Sequence, residues 1–270
     1  MTRIFARVAS VLVPNLVTKF AFQKLTNPQV RKLRTHEVST LDNARKDTYR
    51  FKDFDIQLYA WGTGSKTVLL IHGWEGQAGN FADLIALLLE KDYTVHAFDA
   101  PSHGYSSQGS TSLFEFTELV GILIRKFQVS QLVSHSFGGV ATTFALFQNP
   151  DLTIEKYVLL TTPDKFTERI DDVATMVGIT EGAKNRLIQK IERDLEVQVK
   201  TLNVSEFVKQ IHVKSALIFH DRNDRVIPIA RSKNVHKNWV QSEFRTVEGT
   251  GHFRILRTPA VLRDVVSFLE

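Results

Sequence analysis

From about residue 48 onward, short apolar runs alternate with amphipathic helical stretches. A chain with that alternation buries its apolar faces by forming a mostly parallel sheet with helices on both sides. Tyr49–Phe51 and Asp55–Ala60 read as an opening hairpin. Six further runs follow: Thr67–Ile71, Thr94–Phe98, Gln131–Val133, Tyr157–Leu160, Ala216–Phe219 and Phe244–Val247. Most are apolar throughout, as strands buried on both faces require. Between them, Phe81, Leu84, Ile85, Leu88 and Leu89 share one face of a predicted helix over 81–89, and a second helix is predicted over 113–127. A last helix has Thr258 at its N-cap, Pro259 at its first position, and Val261, Leu262, Val265, Phe268 and Leu269 behind them.

The predicted fold class is therefore α/β, with a core over 48–163 and 215–270. At 270 residues the chain suits one such core with a modest insertion. Residues 164–214 supply the insertion, since they are helix-prone and charge-rich and hold no convincing strand.

Residues 1–47 form a basic extension. The first 50 residues hold ten Lys and Arg against three acids, a local charge of +7 in a chain whose total is +5. The remaining 220 residues are thus near neutral and give no reason to expect a nucleic-acid partner, which would call for a basic stripe across the fold. Within residues 1–25, Phe5, Val8, Leu12 and Leu16 fall near one helical face, with Arg3, Arg7 and Lys19 away from it. That face is expected either to pack on its own domain or a second subunit, or to rest on an anionic membrane surface. Pro14 and Asn15 interrupt the apolar run Val8–Val13, no Ala-x-Ala-like cleavage site follows it as a secretory signal would require, and no stretch approaches the roughly 20 apolar residues of a membrane span. The expected location is cytoplasmic, with peripheral membrane contact as the variant. Every residue assigned to chemistry below lies outside the extension, which makes it an accessory.

The chain has no cysteine, so thiolate nucleophiles and Cys-ligated metals are excluded. A serine takes the nucleophile's place. Ser134-His135-Ser136-Phe137-Gly138-Gly139 follows the strand 131–133 directly and runs into a helix. A sharp strand-to-helix turn pushes the Ser136 hydroxyl clear of the backbone and tolerates only small residues two positions to either side, here Ser134 and Gly138. Ser134 stands where G-x-S-x-G has its first glycine.

A serine hydroxyl needs a base within hydrogen-bond reach. Of nine histidines, His252 in Gly249-Thr250-Gly251-His252-Phe253 follows the last strand in a glycine-rich loop able to bring its imidazole over the sheet edge. His96 and His220 read as strand residues, and His135 as pointing away along the turn. The base needs a carboxylate to fix its tautomer. Asp224 and Asp221 both follow the strand 216–219; Asp224 is favoured, because Asp221 suits the start of the turn by bonding its own backbone.

The chain order Ser136, Asp224, His252, together with Ile71-His72-Gly73-Trp74 and Asp99-Ala100-Pro101-Ser102-His103-Gly104-Tyr105-Ser106, resembles the α/β-hydrolase superfamily over about residues 48–270. By that resemblance the backbone N–H groups of Trp74 and Phe137 form an oxyanion hole, and their side chains line the substrate pocket. The insertion falls where the family carries its cap. The same resemblance implies a serine esterase acting on a small acyl substrate, with thioesterase, C–C hydrolase, perhydrolase or non-catalytic sensor as alternatives. His72 and His103 are expected to be loop-fixing hydrogen bonders. No cofactor and no metal are expected: His96, Asp99 and His103 lack metal-ligand spacing, and Gly62-Thr63-Gly64-Ser65-Lys66-Thr67 lacks the glycine before lysine and the following helix of a phosphate loop.

Overall fold

The computed structural model describes residues 9–30 and 32–270. Eight strands build one sheet: β1 (Arg45–Phe51), β2 (Phe54–Trp61), β3 (Lys66–Ile71), β4 (Tyr93–Phe98), β5 (Gln131–His135), β6 (Thr153–Leu160), β7 (His212–Asp221) and β8 (Ser242–Val247). Their spatial order is β1-β2-β4-β3-β5-β6-β7-β8. The predicted hairpin pairs antiparallel, β2 also meets β4 antiparallel, and every later pair is parallel. Edge strand β1 exposes Arg45, Lys46 and Asp47, charges that discourage pairing with another chain. In the centre, Val68–Ile71, Leu132 and Val133 are fully buried, which explains their unbroken apolar runs.

Register decides where function can sit. Ile71 of β3 lies opposite Ser134 of β5, Ser134 opposite Leu159 of β6, and Asp221 of β7 opposite Val247 of β8. The carboxyl ends of these strands therefore line up along one edge of the sheet, where open α/β sheets bind ligands.

The helices flanking the sheet bury the faces their periodicity marks, with small shifts. Phe81 is buried in a 3-10 turn, Ala78–Phe81, and the helix proper is Ala82–Glu90. Leu89, expected inside, is exposed at that helix's end. Thr258 stands before the last helix, Pro259–Leu269, but its hydroxyl donates to the carbonyl of Arg254 and caps nothing.

The described residues divide into two compact units at boundaries other than 47/48 and 214/215. One holds the residues up to Pro28 with Asp164–Asn203, and the other holds Gln29–Pro163 with Val204–Glu270. Helix Thr35–Asp42 joins the sheet unit because Leu41 enters the main core and Trp61 Nε1 donates to the carbonyl of Thr40. At the other junction, β7 already starts at His212. Helix Pro14–Thr26 joins the helical unit, where Ala21 shares a core with Ile170, Leu187, Ile191 and Val199. Its inward face is Val17, Thr18 and Ala21, small residues that let helices approach closely, whereas Leu12 and Leu16 point outward. Packing of Leu12 and Leu16 on the chain's own domain is thus not found. Arg3, Phe5, Arg7 and Val8 lie outside the described residues.

A prediction follows for truncation. Removing residues 1–26 uncovers Ile170, Leu187 and Ile191, so limited proteolysis should cut rapidly within 164–203 and the melting temperature should fall. Removing residues 1–12 should affect both less, since Ala21, Phe22 and Leu25 remain in place.

Candidate active site

Strand β5 ends at His135, a helix begins at Phe137, and Ser136 stands between them with φ 53° and ψ −122°. Such a backbone costs a side-chain-bearing residue about 1–3 kcal/mol and persists only where surrounding bonds impose it. Here the Ser136 N–H donates to the carbonyl of Leu160, and the Ser136 carbonyl accepts from the Gly139 N–H, both at 2.9 Å. Two positions on, a Cβ on Gly138 would lie 2.4 Å from the carbonyl oxygen of His72, so only glycine fits. Ser134 is fully buried with its hydroxyl 2.8 Å from that of Tyr157. Its departure from glycine therefore leaves no polar group unpaired.

The loop after β3 crosses directly over this turn. A Cβ on Gly73 would meet the His135 carbonyl oxygen and the Ser136 Cβ at 3.0 Å. Two histidines fix the loop. His72 accepts the Ala100 N–H at Nε2 (3.0 Å) and donates from Nδ1 to the Gly73 carbonyl (2.7 Å). His103 accepts the Glu75 N–H at Nε2 (3.2 Å) and donates from Nδ1 to the Pro101 carbonyl (2.9 Å). Burial holds the pKa of His72 well down and lowers that of His103 to about 4, so both stay neutral. The turn bearing His103 is anchored by Asp99, which accepts the N–H groups of Ala78 and Tyr105 and the hydroxyl of Tyr59. Ser102 keeps the left-handed conformation with φ 65°.

Among the described residues, neither the Trp74 nor the Phe137 backbone N–H donates a hydrogen bond. Phe137 opens its helix, where N–H groups have no intrahelical partner. The two rings meet edge to face with centroids 5.3 Å apart. A cavity of about 140 Å³ lies beside this loop, lined by Gly73, Trp74, His135, Phe253, Arg34 and Arg257 among others.

The loops after β7 and β8 complete the site. Asp221 ties them together: one carboxylate oxygen accepts the N–H and hydroxyl of Thr250 and the N–H of Gly251, and the other accepts the N–H of Asn223. Burial opposes its charge, but these donors outweigh burial and hold the pKa below the usual range. His252 is thereby set with Nδ1 2.8 Å from Asp224 Oδ2 and Nε2 3.0 Å from Ser136 Oγ. The other Asp224 oxygen accepts the N–H groups of Val226 and Ile227. Its side chain is fully buried, which opposes ionisation. The hydrogen bond with His252 and the two N–H donors prevail, and the carboxyl sits below its usual range. A carboxylate at Nδ1 requires a proton there, which leaves Nε2 as the acceptor for the Ser136 hydroxyl. The structure thus brings Ser136, His252 and Asp224 into one chain of hydrogen bonds able to move a proton off a serine.

Three supporting residues escape sequence reasoning. His135 does not merely point away: its buried ring donates from Nε2 to the backbone carbonyl of His252, 2.9 Å away, linking the Ser136 turn to the His252 loop. His220 bonds the Ser232 hydroxyl and the Ile227 carbonyl and lies 3.6 Å from Asp224, holding the loop that carries Asp224. Asp221 joins two loops in addition to starting a turn. The one signal available in sequence is the histidine adjoining the serine.

These buried imidazoles predict how stability depends on pH. Burial lowers the pKa of His96 and His103 to about 4 and that of His135 to about 3, and it lowers His72 and His220 as well. An unfolded histidine takes its proton near 6.5, so below that pH the unfolded state binds more protons and stability falls until the folded values are reached. Asp99 opposes this. Burial raises it to about 6, so it favours the folded state as pH drops from about 6 toward its unfolded value. Five histidines outweigh one carboxyl, and the melting temperature should be level above pH 6.5 and fall steadily below it. His96 stacks on Phe127 at 4.1 Å and its Nδ1 has no partner, so His96→Phe should make the acid limb shallower. A melting temperature unchanged down to pH 4 would contradict the argument.

A family model described as the alpha/beta hydrolase fold matches residues 66–199. The chain is 25% identical over 256 residues to the uncharacterized hydrolase YugF of Bacillus subtilis (strain 168), covering 76% of this chain and 89% of that protein. Over 143 residues it is 35% identical to a serine hydrolase-like protein of Homo sapiens, covering 50% of this chain and 68% of the relative. Among solved structures, a membrane phospholipase A shares the fold with a TM-score of 0.65 at 17% identity, over 97% of this chain and 94% of that one. With the strand order, the Ser136 turn and these matches together, the chain belongs to the α/β-hydrolase superfamily and is a hydrolase of that fold.

Proposed function

We propose that this hydrolase is a serine esterase that cleaves a carboxylic ester, or a related acyl bond, of a small molecule through an acyl-enzyme. The observation that supports it is the unbroken chain Ser136 Oγ, His252 Nε2, His252 Nδ1, Asp224 Oδ2, with spacings of 3.0 and 2.8 Å. The Ser136 proton passes to His252 as Oγ attacks the acyl carbon, and Asp224 stabilises the imidazolium that results. The oxygen of the tetrahedral intermediate takes the N–H groups of Trp74 and Phe137, a kind of contact whose loss typically costs ~100- to 1,000-fold in rate. His252 then returns the proton to the leaving alcohol. Water, deprotonated by the same imidazole, releases the acid and frees Ser136.

Serine at the turn, in place of aspartate, favours acyl transfer over displacement at saturated carbon. The test is reaction with a fluorophosphonate, peptide mapping of the adduct, and turnover of matched esters, thioesters and amides. An adduct on Ser136 with turnover of the esters is expected. Labelling elsewhere, or no turnover of any acyl substrate, would overturn the reading; thioester turnover alone would shift the substrate class.

A further inference from the structure

Among the described residues, the helical segment before Asn27 buries one face and exposes another. Residues 9–12 are helical, the chain bends at Val13, and Pro14–Thr26 continues as helix. Val17, Thr18 and Ala21 are buried inward. Outward, Leu16 and Phe20 lie four apart on Pro14–Thr26, a spacing that places helical side chains above one another, and Leu12 stands before the bend. Leu12, Leu16 and Phe20 are 74%, 66% and 40% exposed, with Val11 and Val13 beside them at 72% and 46%. Single exposed apolar residues are ordinary, but five in ten consecutive residues form a patch that calls for a partner.

Charge identifies the partner. Residues 1–36 contain seven Lys and Arg and no Asp or Glu. Lys19 is exposed beside Leu16 and Phe20, and the Lys24 ammonium lies 5.7 Å from the centre of the Phe20 ring. A second copy of this chain docking through a twofold axis would set these cations against their own kind. An anionic lipid surface would take the apolar side chains among its acyl chains and neutralise the cations around them. Among the described residues no helix is long and apolar enough to cross a membrane, so the segment would lie in the interface.

We propose that the protein docks reversibly on anionic membrane surfaces through the outward face of residues 11–24, with Val11, Leu12, Leu16 and Phe20 inserted and Lys19 and Lys24 at the headgroups. The inference is independent of the reaction carried out at Ser136.

The test is flotation of the full-length chain with vesicles of phosphatidylcholine alone or with about 30% phosphatidylglycerol, at low and at high salt. Binding to the anionic vesicles at low salt, release at high salt and little binding to phosphatidylcholine are expected. Lys19→Gln with Lys24→Gln should lower the partition roughly 25-fold, about fivefold for each charge removed. Leu16→Glu with Phe20→Glu should abolish it. Both double variants should keep the wild-type melting temperature and turnover of a soluble ester, because none of the four side chains is buried inward. The absence of vesicle binding, or binding unchanged in the Leu16→Glu/Phe20→Glu variant, would overturn the proposal. So would a dimer in solution that this variant dissolves while vesicles capture nothing.

Discussion

Ser136→Ala should abolish ester turnover and fluorophosphonate labelling while leaving the fold and melting temperature close to those of the unmodified chain. The hydroxyl's hydrogen bond is to His252 Nε2, the atom that would take its proton. Alanine keeps the Cβ that the turn already accommodates at φ 53°, so backbone strain is unchanged. Loss of the nucleophile in a serine hydrolase lowers kcat by about a millionfold, whereas substitutions outside the core usually shift stability by only about 0.5 kcal/mol. The free N–H groups of Trp74 and Phe137 should leave a small residual rate above that of water. Near-normal turnover in a folded Ser136→Ala protein would remove the central claim.

What could be read from sequence, and what could not, follows the range of the forces involved. Buried parallel strands announce themselves because every residue of Val68–Ile71 faces protein. Strand β1 begins four residues before its apolar signal, because Arg45–Thr48 lie on an exposed edge where pairing, not burial, fixes the strand. Helix Thr35–Asp42 has a single fully inward leucine and shows no apolar period. In the first helix, counting apolar residues favours Leu12 and Leu16 as the inward face. Packing chose Thr18 and Ala21, a matter of shape against helices some 150 residues away in sequence that no local pattern encodes.

The site divides in the same way. A nucleophile turn needs small residues at fixed offsets, and a base loop needs glycine, so Ser136 and His252 are visible in short stretches of sequence. The bond from His135 to the His252 carbonyl joins residues 117 apart, and the Asp221 contacts with Thr250 span 29. Neither pairing leaves a local trace, although both set the angle at which the imidazole meets the serine.

Asp224→Asn should lower kcat by about ten thousandfold with little loss of stability. In the native site one Asp224 oxygen is held by the N–H groups of Val226 and Ile227, and the other faces His252 Nδ1. An asparagine satisfies the loop only by keeping its carbonyl oxygen on those two N–H donors, which turns its NH₂ toward Nδ1. The imidazole must then accept at Nδ1 and carry its proton at Nε2, where it can no longer take one from Ser136. The same inversion of tautomer accounts for a loss of about 10⁴ in a serine protease of unrelated fold. Asp221→Asn makes the opposite comparison. Its carbonyl oxygen can remain with Thr250 and Gly251 while its NH₂ faces the N–H of Asn223, so one hydrogen bond is lost and the His252 tautomer is untouched. That variant should show a lower melting temperature and a rate loss of no more than about tenfold, the effect of roughly 1.4 kcal/mol of misplacement. The two variants thus separate the acid from the anchor by which quantity moves, rate or stability. If Asp221→Asn were the slower enzyme and Asp224→Asn the less stable one, the roles assigned to the two carboxylates would have to be exchanged, while Ser136 and His252 kept theirs.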